Sequence, residues 1–429
     1  MSISTVTTTD PAVQSSFAFL RDLLSGYGPR DFAVRAWEGS VWEPDDGQPA
    51  RCTLVLQHPG AVRKMFWPPR PYTLGEAYIY DDIDIEGDLH AFFRVLTHLR
   101  GMRPGLWKRL RWMRRLFALP GNERPRAGRL KANLRGTFHS RERDRQAISY
   151  HYDVSNEFYQ LWLDRRMVYT CAYFAEPDED LDSAQERKLD YVCRKLNLQP
   201  GERLLDLGCG WGGLVMYAAE HYGVQARGVT LSGQQAEWAQ ERIRQLGLQD
   251  RCRVEQLDYR EAAGTYDKLA TICMVEHVGG KLLPAFFRHA YSLLKPGGLF
   301  LNQGIVVSGW QRKVLGQPFS KRYVFPDAEL KPIHLTIKSA EEAGLEVRDV
   351  ESLREHYAMT CKHWVSRLDA HADEARRLTD ETTYRIWRLY MAGSADGFAS
   401  ARGNLYQTLM VKPDRGVSGL PLTRTDWYS

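Results

Sequence analysis

The sequence predicts an α/β protein: a doubly wound, mostly parallel sheet with inserted helices, preceded by a smaller α+β domain. Three observations predict it. From Gly201 onward, strand-like and helix-like segments alternate, the pattern of parallel strands joined by helical crossovers. The first of those strands runs into a glycine-rich turn, LLDLGCGWGG, Leu204 to Gly213. At 429 residues the chain also exceeds one ordinary domain, and the alternation occupies only its second half.

Composition narrows the class. With 43% hydrophobic and 26% charged residues, the chain matches an ordinary folded protein and not a disordered or fibrous one. It has no run of eighteen apolar residues, and its start, MSISTVTTTDPAVQSS, lacks the basic and apolar regions of a signal peptide, so a cytoplasmic protein is expected. The seven cysteines (52, 171, 193, 209, 252, 273, 361) form no CxxC pair and no Cys/His spacing that suits zinc. Free thiols and no metal site are expected.

In chain order, residues 1–16 read as a loose polar tail and 17–99 as the small α+β domain. Its strand is ARCTLVLQH (50–58), and GEAYIYDDIDIEGDLHAFFRVL (75–96) ends as a helix. Residues 100–145 are basic, with fifteen Lys or Arg against three acids. That is a local charge of +12 in a chain of net +5, so the remainder carries −7. Within this stretch, Leu106, Leu110, Met113 and Phe117 recur at helical spacing among five Lys or Arg, a basic amphipathic helix. Nucleic acid, an anionic membrane or plain solvent would each suit it. The Pro-, Gly- and Arg-rich segment PGNERPRAGRLKANLRG then reads as a mobile linker that ends near residue 140.

Residues 146–412 are expected to form the larger domain. Strands fit 203–208, 225–231, 252–257, 268–274, 298–306 and 405–411; helices fit 233–247, 283–295, 357–376 and 380–400. The tail 413–429 has no reading.

The four glycines of the turn, Gly208, Gly210, Gly212 and Gly213, let backbone amides approach a ligand after Asp206. A dinucleotide site is the obvious alternative, but the acid it needs after the second strand is missing. QARGVTLSGQQ offers Thr230, Ser232 and Gln235 instead, as ribose or methionine contacts. After the third strand, Asp258 and Tyr259 of LDYRE are placed to bracket an adenine, a turn role being equally open. LLKPGGLFL (293–301), a helix closed by Pro-Gly-Gly before a strand, is a signature of class I methyltransferases. The cofactor expected is therefore S-adenosylmethionine, on a Rossmann-like class I methyltransferase domain.

Over residues 17–412 the chain resembles the cyclopropane-fatty-acyl-phospholipid synthases and the related mycolic acid cyclopropane synthases. The resemblance rests on YHYDVSNEFYQLWLD (150–164), MVYTCAYF (167–174), DLGCGWGGL (206–214), GVTLS (228–232), MVEHVG (274–279) and KRYVFP (321–326). It implies transfer of a methylene from S-adenosylmethionine to the cis double bond of an unsaturated phospholipid acyl chain. It also implies a bicarbonate ion beside the carbocation, held by Cys171, Glu276, Ile305 and Tyr357. Tyr169, Thr170 and Leu231 complete the implied cofactor contacts. A small core residue is the other reading of Cys171 and a helix cap that of Glu276; His277 is expected to pack structurally.

One departure stands out. The family places a histidine two residues before the isoleucine, and this chain has Gln303. Glutamine can donate a hydrogen bond but cannot carry charge or pass a proton. Cyclopropanation is the first reading; a methylene- or methyl-branched product is the alternative, and a small-molecule methyltransferase a remoter one. The aromatic-rich 150–163 segment and the helices of 357–400 are expected to form the acyl slot, a plain core being the other use. With a phospholipid substrate implied, the basic helix is read as docking on an anionic membrane surface at its inner face, not on nucleic acid. A homodimer is compatible with the sequence.

Overall fold

The structure, a computed structural model, describes residues 10–44, 48–121, 128, 131–152, 154–307 and 319–428. Much of the expected linker falls outside them. The chain divides into two compact units. Among the described residues, the first gathers those up to Lys131 with Phe319–Tyr323 and Thr379–Asp396, and the second holds the rest.

The first unit is built on a four-stranded sheet of order β2-β1-β3-β4, with β1 Phe32–Arg35, β2 Val41–Trp42, β3 Cys52–Leu56 and β4 Ile83–Gly87. Residues 10–16 of the expected tail are instead the start of a helix. Asp10 accepts the Ala12 N–H at 2.7 Å and caps a helix, Pro11–Leu24, whose Phe17, Leu20 and Leu24 are buried. Two distant segments complete this unit. Arg385 donates to the carbonyls of Tyr78 and Ile83, and Tyr323 donates its hydroxyl to Glu76 at 2.7 Å. The expected helix at 380–400 thus belongs largely here and not to the larger domain.

The basic helix forms over Leu106–Ala118. Leu116 is buried and Trp112 Nε1 donates to Asp22, which fixes one face. The other face leaves Leu106, Trp107, Leu110, Met113 and Phe117 exposed, Trp107 at 83%.

The second unit carries a seven-stranded sheet of order β10-β11-β9-β8-β5-β6-β7. Its strands are β5 Arg203–Leu207, β6 Gln225–Thr230, β7 Cys252–Gln256, β8 Tyr266–Ile272, β9 Leu294–Val306, β10 Glu346–Ser352 and β11 Asn404–Val411. Neighbours from β7 to β9 are parallel, while β11 runs antiparallel to both β9 and β10. Alternate residues of β5 and β9 serve opposite faces. Leu204, Leu299 and Leu301 pack in one buried cluster and Leu205, Leu207 and Phe300 in the other, so both faces are covered.

The sequence reading missed β10. EVRDVES pairs only with β11, and none of its residues is fully buried. A charged edge strand of this kind lacks the apolar run that marks the inner strands. The final tail also docks: Trp427, on the short helix Thr425–Tyr428, is buried beside the Lys195 ammonium.

Candidate active site

The strand order reverses between β5 and β8, and there, at the carboxyl ends of the strands, lies a cavity of about 140 Å³. Ligands of open α/β sheets collect at such switch points. The β5 turn shapes its floor. Gly208 has φ +85°, and a Cβ there would lie 2.6 Å from Met274 Cγ; Gly212, at φ +81°, starts the helix Gly213–Tyr222.

Nine of the ten expected cofactor residues line this cavity: Tyr169, Thr170, Asp206, Gly208, Gly210, Thr230, Leu231, Gln235 and Tyr259. Thr230 Oγ1 donates to Gln235 Oε1 at 2.7 Å, and Ser232 caps the helix Gly233–Gln245. Asp206 is buried, its Oδ1 unpartnered among the described residues, and burial pushes its carboxyl up to about 7. These orphaned groups and the glycine floor fit the polar ends of S-adenosylmethionine. Asp258 departs from expectation. It does not line the cavity; both its oxygens are held by the Arg260 guanidinium, at 2.8 and 2.7 Å, which leaves Tyr259 alone on the wall.

The five expected catalytic residues do not share that cavity. Glu276 follows β8 on the short helix Val275–Val278, and its Oε1 accepts the Ile305 N–H at 2.6 Å. Both residues line a second cavity of about 10 Å³, enough for one water at most. Burial raises the Glu276 carboxyl to about 7. Cys171 is fully buried, with its thiol pushed well up by that burial and directed at the carbonyls of Ala172 and Leu353. Tyr357 lies in the first turn of the helix Arg354–Ala370 and stacks on Phe398 with ring centroids 4.5 Å apart.

Gln303 is buried and occupied. Its Oε1 accepts from Gln407 Nε2 at 2.9 Å, Gln407 in turn accepts from Lys195, and Gln303 Nε2 lies 3.7 Å from Cys273 Sγ. This donor set does not fit bicarbonate. The glutamine amide is engaged elsewhere, and the space beside Glu276 is too small for a four-atom ion.

Several cavity residues carried no sequence signal. Asp144, Ala147 and Ile148 come from the helix Arg141–Tyr152, which begins inside the expected basic and linker segment. Arg260 holds Asp144 at 3.0 Å, and Arg143 grips both oxygens of Asp327. Cys273 lines the cavity at φ +54°, a strained conformation for a non-glycine residue. His277, expected only to pack structurally, lines it too, held neutral by burial, its value lowered to about 4. Aromatic rings of the 150–169 region pack against Trp364: the Trp162 and Trp364 centroids are 5.6 Å apart, those of Tyr169 and Trp364 5.2 Å.

Fold and cavity together define a class I methyltransferase. Residues 139–408 match the family Mycolic acid cyclopropane synthetase, and the chain belongs to that family of S-adenosylmethionine-dependent methyltransferases. It is 40% identical over 401 residues to a "Probable fatty acid methyltransferase" of Pseudomonas putida, covering 92% of this chain and 95% of that one. It is 31% identical to the tuberculostearic acid methyltransferase of Mycobacterium tuberculosis, over 85% and 84% of the two chains. Among solved structures, the cyclopropane synthase MmaA2 of Mycobacterium tuberculosis matches with TM-score 0.60 and 30% identity, over 62% of this chain and 98% of that one. The mycolic acid cyclopropane synthase CmaA1, solved with S-adenosylhomocysteine and CTAB, gives 0.60 and 32% over the same shares. Among the described residues, no helix is long and apolar enough to cross a membrane.

Proposed function

We propose that this protein methylates the cis double bond of an unsaturated phospholipid acyl chain and, after a 1,2-hydride shift and loss of a proton from the new methyl, yields a methylene-branched product, which only a separate reductase with a hydride donor would convert to the methyl-branched chain. Bound S-adenosylmethionine supplies an electrophilic methyl, whose transfer to an alkene carbon leaves a carbocation that must lose a proton. The chain's own residues then have three tasks. The glycine turn and the Thr230–Gln235 pair hold the donor. The buried aromatic wall keeps water from the cation. Glu276 stands between Met274 and His277, both of which line the cofactor cavity, and its buried carboxyl, raised to about 7, is the group assigned to take the proton.

The observation that carries the branched product is the state of Gln303. In the place where the family's ring-forming site has histidine, this chain has an uncharged amide tied to Gln407. The names of the relatives, fatty acid and tuberculostearic acid methyltransferases, support the same reading. Ring closure is the second reading, favoured by the presence of Cys171, Glu276 and Tyr357. Fatty acids from a host that expresses the chain, analysed by gas chromatography with mass spectrometry and proton NMR, separate the two. Vinylidene proton signals support the branched product. Upfield ring-proton signals without vinylidene would establish cyclopropanation instead.

We also propose that substrate is met at an anionic membrane surface through the helix Leu106–Ala118. The exposed Leu106, Trp107, Leu110, Met113 and Phe117 among basic residues support it, since apolar side chains insert between lipids while cations meet phosphates.

A further inference from the structure

Among the described residues, Lys188 is the one lysine in the lining of the 140 Å³ cavity, and the reaction proposed above gives it no task. It sits on the helix Leu181–Lys195, on the buried stripe with Ala184, Gln185, Leu189 and Val192, and is only 2% exposed. Its ammonium donates to Thr170 Oγ1 at 3.0 Å. One turn earlier, Gln185 Nε2 donates to the Thr170 carbonyl at 2.8 Å. The helix therefore grips Thr170 at both its side chain and its backbone.

The direction of these bonds matters. An ammonium has donors only, so the Thr170 oxygen must accept from it, and the hydroxyl proton is left to point elsewhere. Thr170 itself lines the cavity, so that proton is a donor available to a ligand. Across the same lining stands Asp206, with Oδ1 unpartnered among the described residues. A buried amine and a buried carboxyl in one cavity lining match the two ends of a zwitterion, and the amino-acid end of S-adenosylmethionine is one.

We propose that Lys188 is a positioning residue for that end of the cofactor: through Thr170 it sets a hydroxyl donor against the cofactor carboxylate, while Asp206 receives the cofactor ammonium. The proposal rests on the cavity being the cofactor site. Lys188 thereby favours ligands that keep the carboxylate over those that have lost it.

Calorimetry on the full-length protein tests this with S-adenosylhomocysteine and its decarboxylated analogue, which keeps the ammonium. In Lys188→Met and in Thr170→Val, affinity for S-adenosylhomocysteine should fall by about tenfold or more, the worth of a charge-assisted hydrogen bond. Affinity for the decarboxylated analogue should change less than about twofold. The double variant should bind no worse than the weaker single one, because the two side chains act as one device. Should Lys188→Met fail to fold, the polar Lys188→Gln takes its place, read with the same two ligands. Equal loss of both ligands, or loss of neither, overturns the proposal. Failure of the unmodified protein to bind S-adenosylhomocysteine would instead remove the cofactor site on which it rests.

Discussion

Glu276 accepts the backbone N–H of Ile305 through Oε1 at 2.6 Å and leaves Oε2 buried without a partner among the described residues. One oxygen is structural, and the proposed proton transfer falls to the other. Glu276→Gln keeps an acceptor for Ile305 but removes the base. Turnover should fall by about 10³-fold, within the usual range for a general base, while affinity for S-adenosylhomocysteine in calorimetry stays within about twofold. Equal loss of both would move Glu276 into the cofactor site.

The same carboxyl makes stability and rate depend on pH in opposite ways. Its value is raised from an ordinary 4.5 to about 7 by burial. Between those values the folded chain holds a proton that the unfolded chain releases, so this contribution to stability is full below about 4.5 and is lost as pH rises through about 7. Relative to the unmodified protein, Glu276→Gln should gain on the order of 3 kcal/mol in urea unfolding at pH 8 compared with pH 4.5. The rate should instead rise with pH through about 7, because a proton acceptor must be ionised.

The β5 turn tolerates no side chain at Gly208. At φ +85°, with a Cβ 2.6 Å from Met274, Gly208→Ala strains the backbone and pushes Met274, itself a cavity residue. Cofactor affinity should fall at least about tenfold, and the thermal shift produced by S-adenosylhomocysteine should shrink accordingly.

Gln303→Leu should be destabilising, since it leaves Gln407 Nε2 buried without its acceptor. A cost of about 1–3 kcal/mol in urea unfolding is expected.

Vesicle binding through the helix Leu106–Ala118 should require anionic lipid and weaken with salt. Lys108→Glu with Arg109→Glu should lower co-sedimentation by at least about 2 kcal/mol; binding that ignores salt and lipid charge would remove the membrane reading.

Much of the fold was legible because inner parallel strands are continuous apolar runs and the β5 turn is a run of glycines. The lines of the cavity drawn by Thr230, Gln235 and Tyr259 were legible for the same reason: they follow strand ends. What escaped lies where local pattern and tertiary role diverge. Lys188 sits in a charged stretch, QERKLD, and only its spacing on the stripe with Ala184 and Val192 marks it as inward-facing. Asp144 belongs to a helix whose Arg and Glu content reads as solvent-exposed. For Asp258 a ligand contact and a turn role are equally open in the sequence, which gives no sign that Arg260, two residues on, takes both oxygens. Gln303 was recognised as a departure, but its engagement by Gln407, more than a hundred residues away, is a product of β9 pairing with β11.

The most direct measurement supplies purified protein with S-adenosylmethionine deuterated in the transferred methyl and with vesicles of a monounsaturated anionic phospholipid. Mass spectrometry of the released fatty acids should show the acyl chain enlarged by one methylene unit that retains two deuteriums, the third having left as the proton taken by Glu276. An acyl chain that gains no deuterium, while the cofactor binds, would contradict the account.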